Sequence, residues 1–138
     1  MIHQIATLIL EHPQYGILSY LRDNKATIPY PHHWDMFGGY VEEGETVEQA
    51  LVRELEEELG LELKEYTFFR KYELRGTEPQ DNDKHVFYAQ IDKNLDELTL
   101  YEGERLGYFQ REEIPDVLFA SIHKQILLDY FVEVPSPK

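Results

Sequence analysis

The chain contains no cysteine, which removes disulfides, thiolate nucleophiles and cysteine-ligated zinc at once. Positive charge is the second shortage: 13 Lys and Arg stand against 27 Asp and Glu, for a net charge of −14. A phosphate backbone needs a basic footprint, so nucleic acid is excluded as a general partner. A phosphorylated small molecule remains possible where a divalent ion screens the like charges. No apolar run approaches the roughly 18 residues of a membrane helix, so no membrane partner is expected. The start, Met1-Ile2-His3-Gln4-Ile5, has neither the basic region nor the apolar core of a secretion signal. These absences point to a cytoplasmic protein. Repeats, low-complexity tracts and linkers are missing too. With 42% hydrophobic and 13% aromatic residues, the 138-residue chain reads as one domain over 1–138 that can bury a core.

Hydrophobic patterning supplies the elements. Residues 5–10 and 16–21 read as strands joined by a turn at 12–15. Residues 23–35 form a polar, proline-containing loop carrying Tyr30, His32, His33 and Trp34, which either grips a ligand or tucks Trp34 into the core. Thr46 followed by Gln49 is a capping box that starts a helix. Leu51, Val52, Leu55 and Leu59 make its apolar stripe, and Gly60 ends it. Residues 63–74 and 85–91 read as strands, with a weaker one at 105–110. A final helix over 120–131 buries Ile122, Ile126, Leu127 and Tyr130. The order predicts an α/β fold, a mixed β-sheet between helices.

The densest information lies between Gly39 and Leu61. Gly39 and Glu45 are followed by the run Arg53-Glu54-Leu55-Glu56-Glu57-Glu58-Leu59-Gly60-Leu61. Glu54, Glu57 and Glu58 stand at i, i+3 and i+4, on one helical face. Glu56 points elsewhere, into solvent. Most acidic runs are solvated faces. Three carboxylates converging on one face, however, call for a cation, and hard oxygen ligands suit Mg²⁺ or Mn²⁺. Arg53, four residues before Glu57, can hold a carboxylate by a charge-assisted pair. Glu45 precedes the helix and ties the loop to its start. Gly38 and Gly39 allow a tight backbone turn and a close approach to a ligand.

The whole spacing, G-x5-E-x7-R-E-U-x-E-E-x-G-U with U a bulky aliphatic, resembles the box of the Nudix hydrolases at every fixed position. Chance placement of this composition would match all nine positions on the order of once in a million chains. The resemblance implies an α/β/α Nudix sandwich and hydrolysis of a pyrophosphate linkage with Mg²⁺ or Mn²⁺ as cofactor. It carries the metal shell to Gly38, through its carbonyl, and to Glu54, Glu57 and Glu58. The catalytic candidates are Glu54, Arg53 and Glu102. Glu54 is the first choice for the base that takes the proton of water, and Glu102 or Glu104 of the 101–104 loop is the alternative. Trp34, Phe37 and His85 are candidates for substrate contact, since a base can stack on an aromatic from the 30–34 loop or the 85–88 strand.

The resemblance fixes the substrate less well. Many relatives that hydrolyse oxidised nucleotides read Pro-Gly-Gly where this chain reads Phe37-Gly38-Gly39. The proline of many ADP-ribose hydrolases is absent, Arg75 and Gly76 standing in its place. Neither the tyrosine of dinucleoside polyphosphate hydrolases nor the Ser-Gln-Pro-Trp motif of NADH-type members has a match. The expectation is a hydrolase of a nucleoside diphosphate linked to another moiety, triphosphates and nucleotide sugars included, working as a monomer or homodimer. The rivals are a non-catalytic nucleotide sensor and an isoprenoid-diphosphate isomerase on the same fold. The missing thiol opposes the isomerase, and the intact box opposes the sensor.

Overall fold

A computed structural model describes residues 1–137. Its centre is β1 (His3–His12), whose apolar run Leu8, Ile9 and Leu10 is buried on both faces. Such a run suits a strand covered on both sides. β2 (Gly16–Leu21) folds back on it as a hairpin, and His12 Nδ1 holds the turn by accepting from the amides of Gln14 and Tyr15. β3 (Trp34–Asp35) and β4 (Phe37–Tyr40) follow the polar loop. β5 (Thr67–Leu74), β6 (Asn82–Gln90) and β7 (Arg105–Phe109) complete a seven-stranded sheet of order β3-β2-β1-β6-β5, with β4 on β1 and β7 on β2. The β1–β6 pair is parallel and the others are antiparallel.

Strand parity assigns the helices to opposite faces. Ala6, Leu8, Leu10, Phe87 and Ala89 join Leu51, Leu55 and Leu59 of α1 (Val47–Leu59) in one core. Ile9, Ile17 and Val86 join Ile126, Leu127 and Tyr130 of α2 (His123–Glu133) in the other. The α/β/α sandwich with a mixed sheet is thus present.

Several boundaries differ from the sequence reading. The strand placed at 63–74 begins at Thr67, and the one placed at 85–91 begins at Asn82. In α1 the buried set is Ala50, Leu51, Leu55, Glu58 and Leu59, with Val52 left half-exposed. In α2, His123 takes the buried place given to Ile122, which instead caps the helix. Gly38 and Gly39 lie in strand β4, not in a tight turn. Glycine at 38 is demanded by its φ of 132° and by proximity, because a Cβ there would fall 1.9 Å from the Ala6 carbonyl oxygen. The short 3₁₀ helices Leu95–Glu97 and Arg111–Asp116 were not read from the sequence. No helix among the described residues is long and apolar enough to cross a membrane.

Candidate active site

β4 and β2 occupy the same edge of β1, one beside residues 5–8 and the other beside residues 10–12. A cavity of about 680 Å³ lies where these strands part, lined by Ala6, Tyr20, Asp35 and Phe37–Tyr40 among others. Glu54, Glu58 and Glu102 reach it from outside the sheet.

Each carboxylate has a structural reason for its place. The capping box fixes the phase of α1: Thr46 Oγ1 accepts from the Gln49 amide at 3.1 Å, and Gln49 Oε1 accepts from the Thr46 amide at 2.9 Å. Gly60, at φ 67°, closes the helix with its amide donating to the Glu56 carbonyl. Between these ends Glu58 falls on the inner side, 2% exposed, and accepts from the Gly38 amide at 2.8 Å. Glu54 lies against β4, its carboxyl carbon 2.5 Å from where a Cβ of Gly39 would stand. Any larger residue at 39 would displace that carboxylate. Glu102 arrives by a separate route. The Tyr101 amide donates to the Glu58 carbonyl at 3.0 Å and the Glu104 amide to the Leu21 carbonyl at 2.8 Å, which pins the 101–104 loop between α1 and β2.

Arg53 organises the outer side. Its Nε and Nη2 grip both oxygens of Glu45 at 2.7 and 2.9 Å, Nη1 donates to Glu54 at 2.8 Å and to Glu57 at 3.3 Å, and Nη2 reaches the Tyr40 carbonyl. Glu45 therefore fastens the loop to the helix. The Arg53 hydrogen bonds pull its carboxyl down to about 2. Glu58 moves the other way, pushed up to about 9 chiefly by burial, with Glu102, Glu54 and Asp35 adding to the rise against the lowering effect of the Gly38 amide. Glu54 is also raised, first by burial and then by Glu57 and Glu102, with Arg53 opposing.

The three box carboxylates do not converge equally. Glu54 and Glu58 line the cavity, while Glu57 lies outside it, 57% exposed and turned to Arg53. Among the described residues no three acidic or histidine side chains are gathered closely enough to ring an ion as they stand. Glu54 and Glu57 share Arg53 Nη1 as their donor, and Glu58 takes the Gly38 amide. The donor chemistry nevertheless fits a hard divalent ion. A carboxyl raised by burial, and further by neighbouring carboxylates, is one that a cation would deprotonate and hold.

A family model described as NUDIX domain matches residues 1–130. The chain belongs to the NUDIX family. It is 28% identical over 127 residues to an ADP-ribose pyrophosphatase of Methanocaldococcus jannaschii, covering 86% of this chain and 73% of that protein. It is 40% identical over 55 residues to the nucleoside triphosphatase NudI of Salmonella agona, 40% of this chain and 38% of the relative. A mouse oxidized purine nucleoside triphosphate hydrolase is 38% identical over 86 residues, or 59% and 52% of the two chains. The chain thus spans less than two-thirds of the length of two of these three curated relatives. Its fold matches that of a MutT protein from Methanosarcina mazei with a TM-score of 0.81 at 17% identity, over 97% and 96% of the chains.

The NUDIX cavity does not receive all the residues singled out for substrate contact. Phe37 lines it, buried against Tyr20 with ring centroids 5.5 Å apart. Trp34 does not. Its ring packs edge-on to Phe109 at 4.8 Å, covers Gly107, and carries Arg105 on its face. His85 also lies off the cavity, its Nε2 2.7 Å from Gln4 Oε1. Glu104 faces His32 at 3.6 Å and does not line the cavity. Of the 23–35 loop expected to grip a ligand, Tyr30 does line the cavity, together with Pro29 and Asp35.

The sequence reading missed a polar wall made by Arg22, Asp35, Glu78, Asn82, Lys84 and His123. Arg22 donates to Asp35 at 2.8 Å, and His123 Nδ1 lies 2.6 Å from the same carboxyl. Burial raises the Asp35 carboxyl, but these two neighbours outweigh it and hold the group below its ordinary value. The one sequence signal was the polar triplet Asn82-Asp83-Lys84 leading into an apolar strand, and it reads equally well as a solvated turn.

Proposed function

We propose that the chain is a Mg²⁺- or Mn²⁺-dependent hydrolase that cleaves a pyrophosphate linkage in a nucleoside diphosphate joined to another group. Nucleoside triphosphates and nucleotide sugars are the substrate types in view, with the cytoplasm as the site of action and 1–138 as one domain. The observation that carries the reading is the meeting of Glu54, Glu58, Glu102 and Gly38 at one cavity of about 680 Å³, a size suited to a nucleotide-scale ligand. The activities named for the archaeal, bacterial and mouse relatives support it.

Glu54, Glu57, Glu58 and the Gly38 carbonyl would hold the ion, with Glu57 turning inward on its exposed rotamers. When bound, the ion supplies charge neutralisation at phosphoryl oxygens and a lowered pKa for water. Glu54, raised by burial and kept in place by Arg53 Nη1, takes the proton of the attacking water. Arg53 positions Glu54 and Glu57. Glu102 remains the alternative base. Phe37, buried against Tyr20, lines the same cavity.

The metal assignment is tested by melting. A ligand that binds only the folded state stabilises it by mass action, so Mg²⁺ or Mn²⁺ should raise the melting temperature. Glu57→Gln is expected to remove most of that rise, while Glu56→Gln, on an exposed position away from the cavity, keeps it. Equal shifts in the two variants would rule out this face as the ligand set. Hydrolysis is then screened across nucleotides and nucleotide sugars with Mg²⁺, followed by product analysis.

A further inference from the structure

The cavity has a second wall on the other face of the sheet. Lys84 pairs in register with Ile5, and its strand turns Val86, two residues on, toward α2. The carboxylates of the box belong to the α1 side. Glu54, Glu58 and Lys84 line the same cavity, so a molecule held at the box has Lys84 on the opposite wall.

Glu78 is the hub of that wall. From the 75–81 loop its Oε1 accepts from Asn82 Nδ2 at 2.8 Å and lies 3.3 Å from Lys84 Nζ. Its Oε2 accepts from the hydroxyls of Tyr30, at 3.1 Å, and Ser121. Tyr30 and Ser121 stand at φ 49° and 54°, left-handed conformations that non-glycine residues hold only when their surroundings impose them. One carboxylate thus ties three separate loops around the cavity. Lys84 and Glu78 are nearly sealed from solvent, their side chains 6% and 9% exposed. Buried charges of this kind persist when paired and supplied with hydrogen bonds. Arg22 is cancelled in the same way by Asp35. Asn82 spends its amide protons on Glu78 and the Gln80 carbonyl, which leaves its Oδ1 a buried acceptor without a partner among the described residues. The wall therefore carries polar groups but no unbalanced positive charge.

We propose that Glu78 determines what this cavity accepts: by cancelling Lys84 and fixing Asn82, Tyr30 and Ser121, it makes the wall facing α2 neutral and hydrogen-bonding, so that the substrate part received there is an uncharged polar ring system and a phosphorylated one is refused. The proposal rests on the hydrolase reading for the direction in which the substrate lies. The pairing of charges stands without it.

The test is calorimetric binding of two probes with Mg²⁺, ADP and its 2′-phosphorylated derivative, at about pH 8, above the ordinary imidazole range. The wild-type chain is expected to prefer ADP. Glu78→Gln keeps the shape and its acceptor but leaves Lys84 unbalanced, so the preference should fall by about tenfold or more or reverse. The double variant Glu78→Gln/Lys84→Met removes both charges and should restore the preference for ADP. A purely structural latch would weaken both probes alike in the single variant and gain nothing from the second change. That pattern, equal wild-type affinity for the two probes, or binding of neither, would overturn the proposal. Failure of the hydrolase reading shows differently, as unaltered probe preferences without cleavage of any nucleotide in the screen.

Discussion

Glu54→Gln is expected to lower turnover by about 10²–10⁴-fold, the usual contribution of a general base. The substitution keeps the shape of a side chain wedged against Gly39 and its contact with Arg53, but removes the proton acceptor. Substrate affinity should change little, because the other proposed ligands, Glu58, Glu57 and the Gly38 carbonyl, are unaltered. Titration with Mn²⁺ separates a base from a ligand. A lost ligand is partly rescued by excess metal, and a lost base is not. Full rescue of Glu54→Gln at high Mn²⁺ would transfer the role to Glu102, whose own Gln variant would then show the larger loss.

The second large effect concerns stability. Glu11, 2% exposed, receives Arg111 Nε and Nη2 at 2.8 and 2.9 Å and the Tyr130 hydroxyl at 2.7 Å. The same guanidinium lies over the rings of Tyr130 and Phe131 and donates to the Val134 carbonyl. Glu11 therefore joins β1 to α2 across 100 residues or more of sequence. Truncation to Ala strands a half-buried Arg111 and leaves the buried Tyr130 hydroxyl unpaired, which should cost about 3–5 kcal/mol. Chemical denaturation measures it. A loss below about 1 kcal/mol would show that the cluster is a bystander to packing.

Much of this architecture was legible because its determinants are local. The capping pair Thr46 and Gln49, the αL glycine at 60 and the i, i+3, i+4 carboxylates are each fixed within a few residues. The buried hairpin follows from its continuous apolar runs and both helix stripes from their period, within a residue or two. The polar wall was not legible for the opposite reason. Glu78 contacts Tyr30, 48 residues away, and Ser121, 43 residues away, and nothing in a turn-rich stretch marks a glutamate as buried. Trp34 shows the same limit. A lone tryptophan in a polar loop reads either as a ligand platform or as a core anchor, and only its bridge to Phe119 and its packing on Phe109 decide for the core on the α2 side. Glu57 was read from helix geometry, which gives the direction of Cβ but not the rotamer. Arg53, four residues earlier, decides that.

The central claim is attack of water on phosphorus at the cavity that joins Glu54, Glu58 and Glu102. Hydrolysis in ¹⁸O-labelled water, with Mg²⁺ and whichever nucleotide the screen identifies, tests it most directly by mass spectrometry of the products. The expected result is one solvent oxygen in a phosphate-containing product, with the rate of incorporation falling in parallel with turnover in Glu54→Gln. Label confined to a sugar or base, with unlabelled phosphates, would contradict it and make the chain a glycosidic-bond hydrolase on a NUDIX fold.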